Sequence, residues 1–409
     1  MIAVIICLVL TPFLASWACC RLVMRVAPRL GLVDKPGLRK IHTTPTPTGG
    51  GLGIWFGVML PAAALAVLSF GLSGSDASDA SSFENMTVWG VPLASFSQAY
   101  STCAAWIASN LPRMWIVLGL GSFLVLLGTL DDRFDLPWGL RLGIEFVVAI
   151  VAVACGWRLN SSYMSPIIAQ ILSVFWIVGL VNSFNMLDNM DALSSGVATI
   201  SSLFLSALAF IYAPASGGEA MLFLAASMLL LASSILGFLM LGRPPAKMFM
   251  GDGGAYFIGF IIATSTLSIT FADARAPESS VLVPLLIVAV PLYDTISVVS
   301  IRLKNKKSPF KGDTNHFGHR LVALGFSRKQ TILTIYLATA ICATSSFFVY
   351  RAKSVAPIFM TLQTALFLIF VAIIEFAARK KVKEDALQIE RLQEDKERVE
   401  KTSDVDKKS

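Results

Sequence analysis

Residues 166–193 read PIIAQILSVFWIVGLVNSFNMLDNMDAL, and the first two-thirds of that stretch, 166–184, carry no charged residue. A run of this length crosses a ~30 Å hydrocarbon core as one helix. It ends in two amides, Asn182 and Asn185, and two carboxylates, Asp188 and Asp191, each three residues from the next. On a helix or a frayed helix end that spacing keeps all four on about one face. Carboxylates and amides set so close to hydrocarbon are costly to bury without partners. A hard cation or a polar ligand would supply them. An ordinary polar loop between membrane helices would show the same residues, so the reading depends on what the other loops carry.

The rest of the chain repeats the pattern. Of 409 residues, 55% are hydrophobic and only 14% charged. Eleven apolar runs long enough to span a bilayer are legible, near 2–20, 51–72, 114–130, 139–157, 166–184, 193–213, 220–241, 254–271, 281–301, 330–350 and 355–377. The first run lacks a charged start and a cleavage site, so it reads as a retained helix rather than a signal peptide. The expected class is all-α: a polytopic membrane protein with about eleven transmembrane helices over residues 1–377, followed by a charged tail, partly helical or disordered, over 378–409. The six cysteines (Cys7, Cys19, Cys20, Cys103, Cys155, Cys342) lie in or beside apolar runs and read as packing residues.

Charge orients the chain. If the runs alternate, 28 of the 33 Lys and Arg fall on one side, and without the tail the balance is still 18 against 5. By the positive-inside rule that side is cytoplasmic, with the amino terminus outside and the carboxyl terminus inside. The setting is a cell inner (plasma) membrane. The basic residues anchor spans, and nothing points to nucleic acid. The outer segment 73–112 holds Asp76, Asp79 and Glu84 without Lys or Arg, and its part 96–111 is suited to a helix on the outer interface.

Four more inner loops carry polar groups. The first ends in RKIHTTPTPTGGG (39–51), where Arg39, Lys40 and His42 precede a stiff proline part and a glycine part that would let a ligand approach the backbone. The second holds Asp131 and Asp132, a pair that repels itself without a cation, followed by Arg133, Asp135 and Arg141, with Glu145 one turn on and able to pair with Arg141. The third is GRPPAKMFMGDGGAYFIG (242–259), with Asp252 among glycines at a helix start, a place where a phosphate could meet backbone N–H groups. The last contains Asp313, His316, His319 and Arg320, after Asp294 within a span. A zinc site would want further His or Cys ligands, so phosphate binding by His and Arg is the better reading.

Together the five inner loops hold aspartates, asparagines and bases, with no Ser-His-Asp set, P-loop or reactive cysteine. Carboxylates with carbonyl oxygens suit Mg²⁺ or Mn²⁺, and basic groups around them suit a diphosphate. The chemistry that needs these and little covalent work is phosphoryl transfer. At the inner leaflet, one substrate would be soluble and the other a lipid.

From the first helix to about residue 330 the chain resembles the polyprenyl-phosphate N-acetylhexosamine-1-phosphate transferases (glycosyltransferase family 4). The resemblance rests on five ordered motifs: RKIHTTPTPTGGG, TLDDR, NSFNMLDNMDAL, FMGDGGAYFIG, and PLYDT with SPFKGDTNHFGHRL. It is closer to the branch that starts polymers with GlcNAc-1-phosphate than to the muramyl-pentapeptide branch of peptidoglycan synthesis. The resemblance implies transfer of the sugar phosphate from a UDP-N-acetylhexosamine to a polyprenyl (undecaprenyl) phosphate, with release of UMP at the start of cell-envelope polysaccharide synthesis. It implies Mg²⁺, with Mn²⁺ as substitute, held by Asp252 and Asn185, and Asp131 and Asp132 as catalytic carboxylates at the lipid phosphate. Substrate binding would involve Asn182, Asp188, Asp191, His316, His319, Arg320, Lys40, His42 and Arg141, the last standing where the family usually has Lys. A homodimer stays open. Asn189 and Ala192 replace family glycines, Gly318 replaces a His, and Thr48 stands where Arg is common. The competing classes are a secondary transporter, which would place ionisable groups mid-helix where here the acidic loop groups sit at helix ends, with Asp294 the main exception, and a scaffold without catalysis.

Overall fold

The computed structural model describes residues 2–34, 45–73, 87–88, 91–159, 164–213, 218–270, 278–310, 313–351 and 355–377. Arg39, Lys40, His42, the outer acidic residues Asp76, Asp79 and Glu84, and the tail from 378 lie outside the described residues. The helices are α1 (Ile2–Leu30), α2 (Gly50–Ser73), α3 (Leu93–Phe134), α4 (Trp138–Ala154), α5 (Pro166–Leu187), α6 (Leu193–Tyr212), α7 (Glu219–Gly242), α8 (Asp252–Ser268), α9 (Val283–Ile287), α10 (Ala289–Lys304), α11 (Phe317–Ala323) and α12 (Arg328–Arg351). A last helix, α13, is Ala356–Ala377. A 3₁₀ helix over Glu278–Leu282 and two short antiparallel pairs complete the described structure: β1 (Val33–Asp34) with β2 (Thr46–Pro47), and β3 (Thr87–Val88) with β4 (Val91–Pro92).

Each of the eleven apolar runs falls on helix. Among the described residues seven helices are long and apolar enough to cross a membrane, or eight if the bent pair α9–α10 is one span. The chain is an all-α polytopic membrane protein. The remaining runs lie on α2 and on α4 and α8, the last two each 17 residues long. At 1.5 Å per residue a 17-residue helix covers about 26 Å, the lower end of what crosses a ~30 Å core. Residues 96–111 are not a separate interfacial helix: they belong to the unbroken backbone of α3.

Why α8 sits at the centre is legible in its sequence, DGGAYFIGFIIATSTLS, which offers no polar face. Every residue from Gly253 to Leu267 is buried, as a helix apolar all round requires. It packs against α2, α3 and α5. Contact is close because paired glycines let backbones meet. A Cβ on Gly51 would lie 2.2 Å from the Gly254 nitrogen, and one on Gly128 2.2 Å from the Gly253 nitrogen. α1 and α13 lie at the periphery, with 17% and 11% of their apolar windows buried, and present leucines, isoleucines and phenylalanines outward for lipid.

The α9–α10 pair bends by 70°. A break within the membrane frees backbone groups that need partners, and Ser201 Oγ donates to the freed Ile287 carbonyl at 3.0 Å.

Candidate active site

The α8 start is held in place by the loop that precedes α2. Gly50 and Gly51 N–H groups donate to the Phe249 and Met250 carbonyls (2.9 and 2.8 Å), and Phe249 N–H donates to Pro47 O (2.9 Å). The glycine part of residues 39–51 is therefore a clamp on the Asp252 loop and not a surface for a ligand. Gly253 and Gly254 are likewise buried against α3 and α2, so a phosphate cannot reach their amides. Gly251 alone serves a turn. Its φ is +77°, and a Cβ there would meet Asp132 Oδ2 at 2.2 Å.

Around this turn the helix ends converge. Asp252 N–H donates to Asp132 Oδ1 (3.2 Å), and Asn185 Nδ2 at the end of α5 donates to Asp252 Oδ1 (2.7 Å). Arg141 of α4 makes a close ion pair with Asp131 and stands 3.7 Å from Asp252 Oδ2. Asp131 also accepts from Leu136 N–H (2.9 Å) and from Tyr256 Oη (3.3 Å). α3, α4, α5 and α8 thus bring Asp131, Asp132, Arg141, Asn185 and Asp252 together. Glu145 does not pair with Arg141. It is buried and accepts a short hydrogen bond from Asn182, whose amide also reaches the Val178 carbonyl at 2.9 Å.

The four polar residues of 182–191 do not share a partner, because α5 stops at Leu187. Asp188 is its C-cap, and its carboxyl is pushed up to about 8 by burial and then by the charges of Asp132 and Asp191. Asp191 accepts from Ala246 N–H (3.1 Å) in the α7–α8 loop. The chain re-enters helix through Ala192, a non-glycine residue at φ +65°.

α11 rests on this same turn. A Cβ on Gly318 would lie 3.0 Å from Met190 Sδ, 3.2 Å from Leu193 Cδ2 and 3.4 Å from Asn189 Oδ1, so a side chain at 318 would press on this turn and its neighbours would have to yield. His316 Nδ1 lies 2.9 Å from Asp294 Oδ2, and Phe317 N–H donates to Asp294 Oδ1 (2.5 Å). With Nδ1 held on Asp294, Nε2 is the ring nitrogen left for a ligand. Asp294, the mid-span carboxylate that a transporter would use, is engaged on both oxygens by α11. Arg320 is buried and pairs with Glu375 of α13.

Asp132 Oδ2 is buried and has no hydrogen-bond partner. No three His, Cys, Asp or Glu side chains form a metal-ligand group among the described residues. A Mg²⁺ takes one or two carboxylates and fills its shell with phosphate oxygens and water, so the orphaned oxygen of Asp132 beside Asp252 fits such an ion. Asn185 reaches Asp252 through its Nδ2 and leaves its Oδ1 to such an ion.

Several site residues were not singled out in the sequence. Tyr256 lies within FMGDGGAYFIG, one helical turn after Asp252 on α8, and that spacing was available to read. Glu145 and Glu375 are ionisable groups inside apolar runs, a signal in themselves.

The sequence profile of glycosyl transferase family 4 matches residues 114–270, which cover the helix ends bearing Asp131, Asp132, Arg141, Asn185 and Asp252. A Bacillus subtilis (strain 168) protein named "Probable undecaprenyl-phosphate N-acetylglucosaminyl 1-phosphate transferase" is 30% identical over 362 residues, 86% of this chain and 85% of its own length. Proteins named undecaprenyl-phosphate alpha-N-acetylglucosaminyl 1-phosphate transferase are 28% identical in Yersinia pestis (81% of this chain, 80% of theirs) and Escherichia coli K12 (78% and 77%). With such a relative aligned along most of both chains, and the profile lying over the carboxylate cluster, the chain belongs to glycosyl transferase family 4.

Proposed function

We propose that the protein transfers GlcNAc-1-phosphate from UDP-GlcNAc to undecaprenyl phosphate and releases UMP, starting a cell-envelope polysaccharide. The observation that carries this reading is the cluster of Asp131, Asp132 and Asp252 bridged by Arg141 at one end of α3, α4 and α8. It is the inventory that a transfer between two phosphate-bearing substrates needs, and the relatives' names support the lipid acceptor and the transferred group.

Asp131 has donors from Arg141, Leu136 and Tyr256, which fix its carboxyl group and aim the Arg141 guanidinium. Asp132 is the carboxylate with an unused oxygen. A phosphate monoester has its second pKa near ~6, so much of the acceptor is dianionic at neutral pH and needs alignment more than a base. An oxygen of the lipid phosphate attacks the β-phosphorus of the UDP-sugar, the bond to the UMP oxygen breaks, and UMP leaves in one step. Arg141 faces the charge of the reacting phosphates, and His316 with His319 faces the nucleotide-sugar. Asp132 and Asp252, with Asn185, would hold Mg²⁺ or Mn²⁺, which when bound neutralises diphosphate charge.

Eleven spans, an outer amino terminus and a cytoplasmic carboxyl terminus accompany this reading, with the site facing the cytoplasm of the inner membrane, as the Lys and Arg balance supports. The test is UMP release by the purified protein with undecaprenyl phosphate and a panel of UDP-sugars. UDP-GlcNAc should be the best donor, activity should vanish in EDTA and return with Mg²⁺ or Mn²⁺. An enzyme indifferent to chelation, or one that prefers UDP-muramyl-pentapeptide, contradicts the reading.

A further inference from the structure

α11 is seven residues long and cannot hold itself in place. Its amino end is tied by Asp294 of α10. Its other half is tied by Arg320, whose guanidinium is almost fully engaged: Nε and Nη2 donate to Glu375 (3.0 and 3.1 Å), Nη1 to Ser297 Oγ and the Asn315 carbonyl (2.8 Å each). Glu375 accepts a further hydrogen bond from Tyr293 Oη at 2.7 Å. Arg320 and Glu375 are 2% and 5% exposed. A buried, bidentate pair of this kind fixes geometry well, and removing one partner leaves the other charge uncompensated. The remaining face of α11 bears on Asn189, Met190 and Leu193, in the turn between Asp188 and the start of α6. A shift of α11 therefore moves His316, His319 and the turn together.

What ties the helix comes from an unexpected place. α13 is the least buried of the seven span helices, and the family profile ends at residue 270, far short of it. Yet it carries a buried carboxylate directed at the histidine segment. Engaged in this way, Arg320 links Glu375 to the histidine segment.

We propose that Glu375 is a positioning residue for the nucleotide-sugar subsite, acting through Arg320 on the α11 histidines. The placement of that subsite rests on the transferase reading above. The experiment uses the full-length protein in phosphatidylethanolamine–phosphatidylglycerol nanodiscs, comparing wild type with Glu375→Gln, Glu375→Asp and Tyr293→Phe. Two readouts are taken. Diethyl pyrocarbonate labelling of His316 and His319, followed by mass spectrometry, needs no substrate. Glu375→Gln should label His316 several-fold faster. In steady-state assays the same variant should raise KM for UDP-GlcNAc by about tenfold while kcat and KM for undecaprenyl phosphate stay within about threefold, the scale expected of a small misplacement. Glu375→Asp, which keeps the charge, should recover most of the loss, and Tyr293→Phe should give a smaller effect of the same kind. Should Glu375→Gln fail to fold, the graded pair of Asp and Phe variants carries the comparison. Unchanged histidine labelling, or an equal loss in all kinetic constants, overturns the proposal. A wild type inactive on every UDP-sugar overturns the transferase reading and the subsite assignment, while the labelling rates still decide whether Glu375 positions α11.

Discussion

Asp131 and Asp132 are neighbours on one helical turn, yet their oxygens are used very differently. Asp131 has three side-chain and backbone donors, while Asp132 has Asp252 N–H on one oxygen and nothing on the other. Asp131→Asn removes the ion pair that aims Arg141, so kcat should fall by roughly 10²–10³-fold, the usual loss of a preorganised electrostatic group. Binding of UDP-GlcNAc, measured by calorimetry, should survive within a fewfold. No burst of UMP should appear without lipid acceptor; a stoichiometric burst lost in the Asp131 or Asp132 variant would show a covalent aspartyl intermediate instead of one-step transfer. Ala192 makes a second residue-scale case. It sits at φ +65°, and a left-handed residue with a Cβ costs about 1–2 kcal/mol. Glycine restores the conformation but adds unfolded-state entropy of about 0.5–1 kcal/mol. Ala192→Gly should therefore raise Tm slightly in detergent, and a clear drop would contradict the strain.

At the scale of the element, α8 decides where the chemistry can be. Its amino end carries Asp252, and its first turns lie against α2 and α3 at glycine contacts. Gly51→Val puts side-chain atoms where the Gly254 backbone is, and overpacking of this kind costs typically about 1–3 kcal/mol. The variant should lose thermal stability and, because Asp252 moves with α8, most of its turnover. Gly143 on α4 is the contrast: nothing lies within 4 Å of its would-be Cβ. Gly143→Ala should leave activity intact and gain about 0.5–1 kcal/mol. Equal effects of both substitutions would refute the packing argument. The same reasoning explains why the glycines near Asp252 looked like a phosphate loop from sequence. A glycine that lets a ligand approach and one that lets a helix approach are indistinguishable until the neighbour is known.

For the whole molecule the one-sided distribution of charge is the feature with most reach. In a cysteine-free background, a cysteine placed at Lys307 should react with an impermeant maleimide only in inverted vesicles, and one placed at Ser78 only in intact cells. Labelling of the Lys307 site from outside would reverse the orientation and remove the cytosolic nucleotide-sugar from reach of the carboxylates. Part of the candidate site was plain along the chain, since Asp131, Asp132, Asn185 and Asp252 all stand in motifs at helix ends. Their joining to Arg141 and Tyr256 was not, because those hydrogen bonds link helices up to 125 positions apart.

Sequence alone determined the class, the placing of helices and the end of the bundle where polar chemistry gathers. Those follow from local quantities: the length of an apolar run against the thickness of hydrocarbon, and the cost of a charge there. Only the tertiary structure decided which polar residues face one another. Asn182 went to Glu145, Asn185 to Asp252, Asp191 to the loop after α7, and Arg320 to Glu375. Each pairing depends on how helices approach in space, set by small residues at their contacts, and no periodicity within one run records its neighbour.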